Sequence, residues 1–119
     1  MKLTKDFDLI EFSCPCGCDF DGVPMDVGFM IKLQKVRDLY GKPMKINSGY
    51  RCPEHNAKIN GSPTSQHLHG LAADIHCTTA EDKYHLINTG MAVGMSGIGI
   101  YETFVHIDFR KGLPSAWKG

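Results

Sequence analysis

Ser65-Gln66-His67-Leu68-His69-Gly70-Leu71-Ala72-Ala73-Asp74 places an imidazole and a carboxylate on either side of a glycine, at the point where a strand begins. From Leu71 the residues alternate, with Leu71, Ala73 and Ile75 on one face and Ala72, Asp74 and His76 on the other, the period of a half-buried strand. Asp74 is therefore expected to point away from the apolar side. Gly70 tolerates a positive φ, so the chain can reverse there and bring His67 back over the strand toward Asp74. An imidazole and a carboxylate so disposed are two ligands of a metal site, and a third has to come from elsewhere.

The second strand-like run, Phe104-Val105-His106-Ile107-Asp108-Phe109-Arg110, supplies it. His106 and Asp108 share one face, while Val105, Ile107 and Phe109 line the other. Two adjacent strands would gather His67, Asp74 and His106 and leave a fourth position for water. Three protein ligands and an open position describe a catalytic zinc site, whereas structural zinc sites are closed by four protein ligands.

The chain has 119 residues, enough for one domain with one core. Its 13 basic and 13 acidic residues balance, so no charged field points to nucleic acid or an anionic membrane as partner. No apolar run reaches the roughly 18 residues of a membrane span, and Met1-Lys2-Leu3-Thr4-Lys5-Asp6 lacks the apolar stretch of a signal peptide. Synthesis in a cytoplasm is the expectation, with a monomer as the default state.

The segment from Asp26 to Tyr40 reads as the main helix, with Phe29, Met30, Leu33, Val36 and Leu39 at helical spacing and Gly41 and Pro43 ending it. A strand is expected from Met44 to Asn47, then a short helix opening at Cys52-Pro53, and a turn-rich loop around Asn60-Gly61-Ser62-Pro63-Thr64. Ala80 to Val93 reads as a second helix, capped near Thr79. Ile98, Ile100 and Tyr101 then pair with Val105 to Phe109 through Glu102-Thr103. Five cysteines cannot all pair within one chain. Cys14-Pro15-Cys16-Gly17-Cys18 could give thiolates to a structural metal with Cys52 or Cys77 as the missing ligand. It lacks the two-residue gap of common zinc knuckles, and thiols around a tight turn are the reading kept.

Ser48-Gly49-Tyr50-Arg51, then Ser65-x-His67-x-x-Gly70-x-Ala72-x-Asp74, then Gly97-x-Gly99-x-Tyr101 leading to Phe104-Val105-His106-Ile107-Asp108, together resemble the M15 family of zinc peptidases. The likeness runs from about Phe12 to Trp117 and is strongest to the small peptidoglycan peptidases of phage endolysins and bacterial murein hydrolases. It implies an α+β fold, a small antiparallel sheet packed with helices and a zinc site on the sheet face. It also implies Zn2+ held by His67, Asp74 and His106, and hydrolysis of peptide bonds in peptidoglycan stem peptides. Arg51 matches the family's substrate-holding arginine, and Ser65, Gln66 and Tyr101 would join it in binding the peptide.

One departure concerns the catalytic base. Several branches carry an acid three positions before the last zinc histidine, and here that position is Thr103. Asp108, on the strand face of His106, is expected to take the role ahead of Glu102 in the turn; the other reading of Asp108 is a partner that orients a ligand histidine. His69 falls outside the ligand register and is expected on the surface or the cleft, His76 beside Asp74, and His55 and His85 on helix surfaces. An endopeptidase of the endolysin type is expected, released from the cytoplasm to the cell wall or carried on a virion. The alternatives are a D-Ala-D-Ala carboxypeptidase with the same centre and a non-catalytic zinc-bearing wall-binding module.

Overall fold

The computed structural model describes residues 1–18 and 23–119. Along the chain run α1 (Val27–Tyr40), β1 (Ile46–Ser48), α2 (Pro53–Lys58), β2 (Ala72–His76), α3 (Ala80–Val93), β3 (Gly97–Ile100), β4 (Phe104–Asp108) and β5 (Ser115–Lys118). Short 3-10 turns at Leu9–Phe12 and Gln66–His69 complete the set. The five strands form one sheet in the order β1-β2-β4-β3-β5. The protein is thus an α+β fold, as the sequence led us to expect.

Helix α1 starts where the Asp26 carboxylate accepts from the Phe29 N–H at 2.8 Å, and stops at Gly41, whose φ of 76° is left-handed. Phe29, Met30, Leu33 and Val36 are buried, but Leu39 is 62% exposed and Tyr40 takes its place in the core. Tyr40 lies seven residues from Leu33 and eleven from Phe29, in phase with both, whereas Leu39 falls to the flank of the stripe. Helix α3 is capped by the Thr79 side chain and packs on α1. Buried residues of both helices join Ile75, Ile98, Val105 and Ile107 of the sheet in one apolar cluster. Gly90 of α3 faces the methyl ends of Ile107 and Ile98.

Strands β2 and β4 are antiparallel neighbours, with Asp74 opposite His106 and Ala72 opposite Asp108. Alternation sends Ile75, Val105 and Ile107 into the cluster and turns Asp74, His106 and Asp108 to the other face. The first strand is Ile46–Ser48 rather than Met44 to Asn47, and its irregular pairing sets Ser48 beside Asp74. Phe109 lies past the end of β4 and is 37% exposed.

The expected antiparallel sheet gains a parallel edge: β5 pairs with β3, with Gly99 opposite Trp117. Ser115-Ala116-Trp117-Lys118 has no apolar alternation from which to read a strand. Backbone bonds hold it instead, from the Ser115 N–H to the Ser96 carbonyl at 2.9 Å and from the Gly119 N–H to the Ile100 carbonyl at 2.8 Å.

Gly70 adopts φ 67°, and a Cβ there would lie 2.1 Å from the Pro24 carbonyl oxygen. Its own carbonyl accepts from the Asp26 N–H at 3.0 Å, which ties the His67 turn to the start of α1. Gly41 has a similar φ but open space around it. Gly70→Ala should therefore cost roughly 2–4 kcal/mol, the sum of left-handed backbone strain and a clash, and Gly41→Ala only about 1–2 kcal/mol from strain alone. Urea unfolding of the two variants measures the difference.

Candidate metal centre and cleft

The 3-10 turn at Gln66–His69 is opened by the Ser65 hydroxyl, which accepts from the His67 N–H, and closed by Gly70. It swings the His67 ring over β2, where Nε2 stands 3.2 Å from Asp74 Oδ1. From β4, His106 Nδ1 reaches the same Asp74 oxygen at 2.9 Å. The two rings meet edge to face, with centroids 5.1 Å apart. All three side chains are buried, and their ligand atoms lie within 4.8 Å of one another.

The outer nitrogen of each imidazole is already engaged. His67 Nδ1 lies 2.6 Å from the Gly49 carbonyl oxygen, which can only accept, so the ring donates from Nδ1. His106 Nε2 lies 2.7 Å from Asp108 Oδ2, and Asp108 in turn takes Arg110 on both oxygens, Nε at 3.0 Å and Nη2 at 2.6 Å. With both rings neutral, the inner nitrogens turn lone pairs toward the Asp74 carboxylate. Three acceptors then converge with no donor between them, and either a proton or a cation must fill the gap. Tetrahedral zinc with N and O ligands at about 2.0–2.1 Å sets them about 3.3 Å apart, near the 2.9 and 3.2 Å seen here. The donor set and the partners behind each histidine fit zinc, the cofactor expected from the sequence.

Charge follows the same pattern. Burial pushes the Asp74 carboxyl up, but hydrogen bonds and charge from His106 and His67 outweigh it and hold the group far below the usual carboxylate range. Burial also raises Asp108, and His106 and Arg110 bring it down to about 2. His106 is pulled down by burial and carried above its ordinary 6.5 by Asp108 and Asp74. The same two carboxylates that raise His106 therefore favour positive charge at the point where the three side chains converge.

A cleft of about 530 Å³ opens over this cluster and is lined by Arg51, Ser65, Gln66 and Tyr101 among others. Arg51 is held by three acceptors, each at 3.3 Å: Ser48 Oγ, Asn56 Oδ1 and Asp74 Oδ2. Asp108 lies behind His106 and is fully buried. Glu102 stands exposed on the β3–β4 turn, where its backbone carbonyl accepts from Lys83 Nζ, and it is not among the cleft-lining residues. His69, His76 and His85 are exposed and His55 is half-buried; none of the four lines the cleft.

Three contributors were not foreseen. Trp117 lines the cleft with its ring centroid 5.2 Å from that of His106, donates from Nε1 to the Tyr101 hydroxyl at 2.9 Å, and lies in the space Gly99 leaves open. Arg110 continues the i, i+2 spacing of His106 and Asp108, a signal present in the run from Phe104 to Arg110. The Gly49 carbonyl carries no sequence signal at all. Gly97 matters for the same reason as Gly99: a Cβ on it would fall 2.1 Å from Asp108 Oδ1.

Comparison with known proteins agrees with this geometry. The sequence model of the peptidase M15 family matches residues 5–108. A zinc D-Ala-D-Ala carboxypeptidase of Streptomyces albus G is 40% identical over 47 residues, which are 39% of this chain. The match spans 18% of the length of that curated relative.

The pKa directions set a pH dependence. His106 is raised in the folded metal-free chain, so its pairing with Asp74 and Asp108 stabilises fully below about pH 6.5 and is lost as pH rises through the higher folded value. Zinc competes with that proton, so the increase in Tm on adding zinc should widen as pH rises above about 6.5, as thermal scans with and without zinc can check. Asp108 works in the opposite sense. Its contribution is present above about pH 3.9 and is lost as pH falls through about 2. Asp108→Asn should flatten this acid limb and weaken zinc affinity about 10- to 100-fold, measured by competition with a chromogenic chelator.

Proposed function

The chain belongs to the peptidase M15 family, and from that premise we propose that it hydrolyses peptide bonds in the stem peptides of peptidoglycan with zinc held by His67, Asp74 and His106. The observation that supports this most is the convergence of those three side chains at the floor of an open cleft, with a fixed guanidinium beside them. We place an internal stem-peptide bond first, cut by an endolysin-type endopeptidase acting on the wall after release from the cell that makes it. The terminal D-Ala–D-Ala bond comes second, and it is the bond named for the Streptomyces relative.

Zinc, when bound, supplies Lewis acidity that polarises a carbonyl and lowers the pKa of water from its bulk value toward about 7. The protein's own residues do the rest. Gly49 and Asp108 hold the two imidazoles in the tautomers that present His67 Nε2 and His106 Nδ1 to the metal. Arg51, steadied by Ser48 and Asn56, offers guanidinium N–H donors to a substrate carbonyl or carboxylate and to the negative charge that grows on the oxygen under attack. Arg110 also lines the cleft, with its guanidinium paired to the Asp108 carboxylate. Tyr101 and Phe104 stack with centroids 4.3 Å apart and, with Trp117, give the peptide an apolar wall.

The proton acceptor is proposed from two carboxylates in unlike positions. Asp108 is one hydrogen bond behind His106 with both oxygens engaged, which favours holding the ligand ring over direct contact with water. Glu102 is free of such bonds to its side chain among the described residues but stands on the outer turn.

Purified peptidoglycan treated with zinc-loaded protein should release fragments with new amine termini, and a chelator should abolish the release. Fragment masses separate an internal cut from loss of terminal D-Ala. Intact wall after treatment with protein that retains zinc would replace the enzyme by a wall-binding module. In the same assay Arg51→Lys should fall about 100- to 1,000-fold in kcat/KM, because a point charge does not reproduce the guanidinium fork. Loss of cleavage in Glu102→Ala at full zinc content assigns the proton to Glu102. Full activity there, with loss in Asp108→Asn at saturating zinc, assigns it to Asp108.

A further inference from the structure

We propose that Cys14, Cys16, Cys18 and Cys52 form a second metal centre, a tetrathiolate site for a structural zinc ion that pins the N-terminal segment to the segment carrying Arg51. The four Sγ atoms lie within 4.8 Å of one another, and none is engaged in a disulfide. Cys14 and Cys16 are 3.3 Å apart, Cys16 and Cys52 3.5 Å, and Cys14 and Cys52 3.7 Å. Four thiolates at about 2.3 Å from one tetrahedral ion stand about 3.8 Å apart, so three of the edges are already close to that spacing.

This gathering is not what the spacing alone would produce. In an extended chain, cysteines two apart share a face but stand about 6.6 Å from one another. Here the Gly17 N–H donates to the Cys14 carbonyl at 3.2 Å and Gly17 takes a φ of 74°, which folds the run into a turn and brings its sulfurs together. Cys52, 38 positions away from Cys14, closes the set. Two backbone amides also address the sulfurs, Cys52 N–H to Cys14 Sγ at 3.5 Å and His55 N–H to Cys52 Sγ at 3.4 Å. Amide donors to sulfur stabilise thiolate over thiol, and soft thiolates select zinc over magnesium or calcium. Four protein ligands leave no open position, so the centre is structural and not catalytic.

Its place in the fold gives it a purpose. Phe12, two residues before Cys14, accepts from the Tyr50 N–H at 2.9 Å and packs where a Cβ on Gly49 would lie 2.6 Å from its Cα. Gly49 is the residue whose carbonyl holds His67, and Arg51 directly precedes Cys52. A metal on the four sulfurs would fix both residues from behind the cleft.

The donor set shares no residue with the His67–Asp74–His106 cluster, so the two centres can be tested apart. Full-length protein purified under reducing conditions and loaded with zinc should hold about two ions per chain by elemental analysis. The double variant Cys16→Ser/Cys18→Ser, altered only at exposed positions, should hold about one, and so should His67→Ala/His106→Ala. With cobalt in place of zinc, thiolate-to-cobalt charge-transfer absorption should appear in the wild type and in the histidine double variant and vanish in the cysteine double variant. One zinc per wild-type chain, absence of that band from cobalt-loaded wild type, or iron in place of zinc would overturn the proposal. The cobalt spectrum of the wild type decides the matter even if the cysteine variant fails to fold. A histidine variant that keeps the band but cleaves nothing leaves this inference standing; a missing band in a protein that cleaves wall removes it and leaves the peptidase reading intact.

Discussion

The Asp74 carboxylate, buried between two imidazoles whose outer nitrogens are already committed, is the constraint on which the rest of the site depends. A carboxylate in that position is costly unless positive charge meets it. Arg51 meets it at 3.3 Å, and the His106 ring beside it is shifted toward its protonated form by Asp108 and Asp74. With zinc bound, the ion would replace the proton, and the same hydrogen bonds that raise His106 would aim its lone pair.

That frame draws on most of the fold. Register between β2 and β4 puts Asp74 opposite His106, so the pair is fixed by backbone hydrogen bonds rather than by side-chain packing. Gly70 delivers His67 by turning the chain against Pro24, and Gly49 accepts its ring proton while leaving room for Phe12. Gly97 and Gly99, on the neighbouring strand, clear the space that Asp108 and Trp117 occupy. Glycine at these positions serves close approach: three of the four sites would put a Cβ within 2.7 Å of a side chain or backbone atom, and the fourth would strike a carbonyl.

The parts visible in the sequence were those with a period or a sharp local rule. Alternation around Asp74 and His106 placed both on one face, and the positive φ at Gly70 was legible because only glycine tolerates it cheaply. The two long helices followed from their caps and apolar spacing, apart from the phase error that exchanged Leu39 for Tyr40. The α+β class came with the family resemblance. Strand β5 was not legible because backbone hydrogen bonds pair it with β3 and its side chains carry no pattern. Trp117 went unnoticed with it, although the Gly97-x-Gly99 spacing marked the room it needs. The Gly49 carbonyl and the joining of Cys52 to the N-terminal cysteines are long-range facts, set by how the 3-10 turn at Leu9–Phe12 lies on β1.

The most direct test of the central claim is a crystal structure of the zinc-loaded protein with anomalous data collected at the zinc edge. The account predicts a zinc peak between His67 Nε2, Asp74 and His106 Nδ1, with Asp108 still accepting from His106 Nε2. Fully zinc-loaded protein with no anomalous density at that position, or with His106 turned so that Nε2 meets the metal, would contradict it.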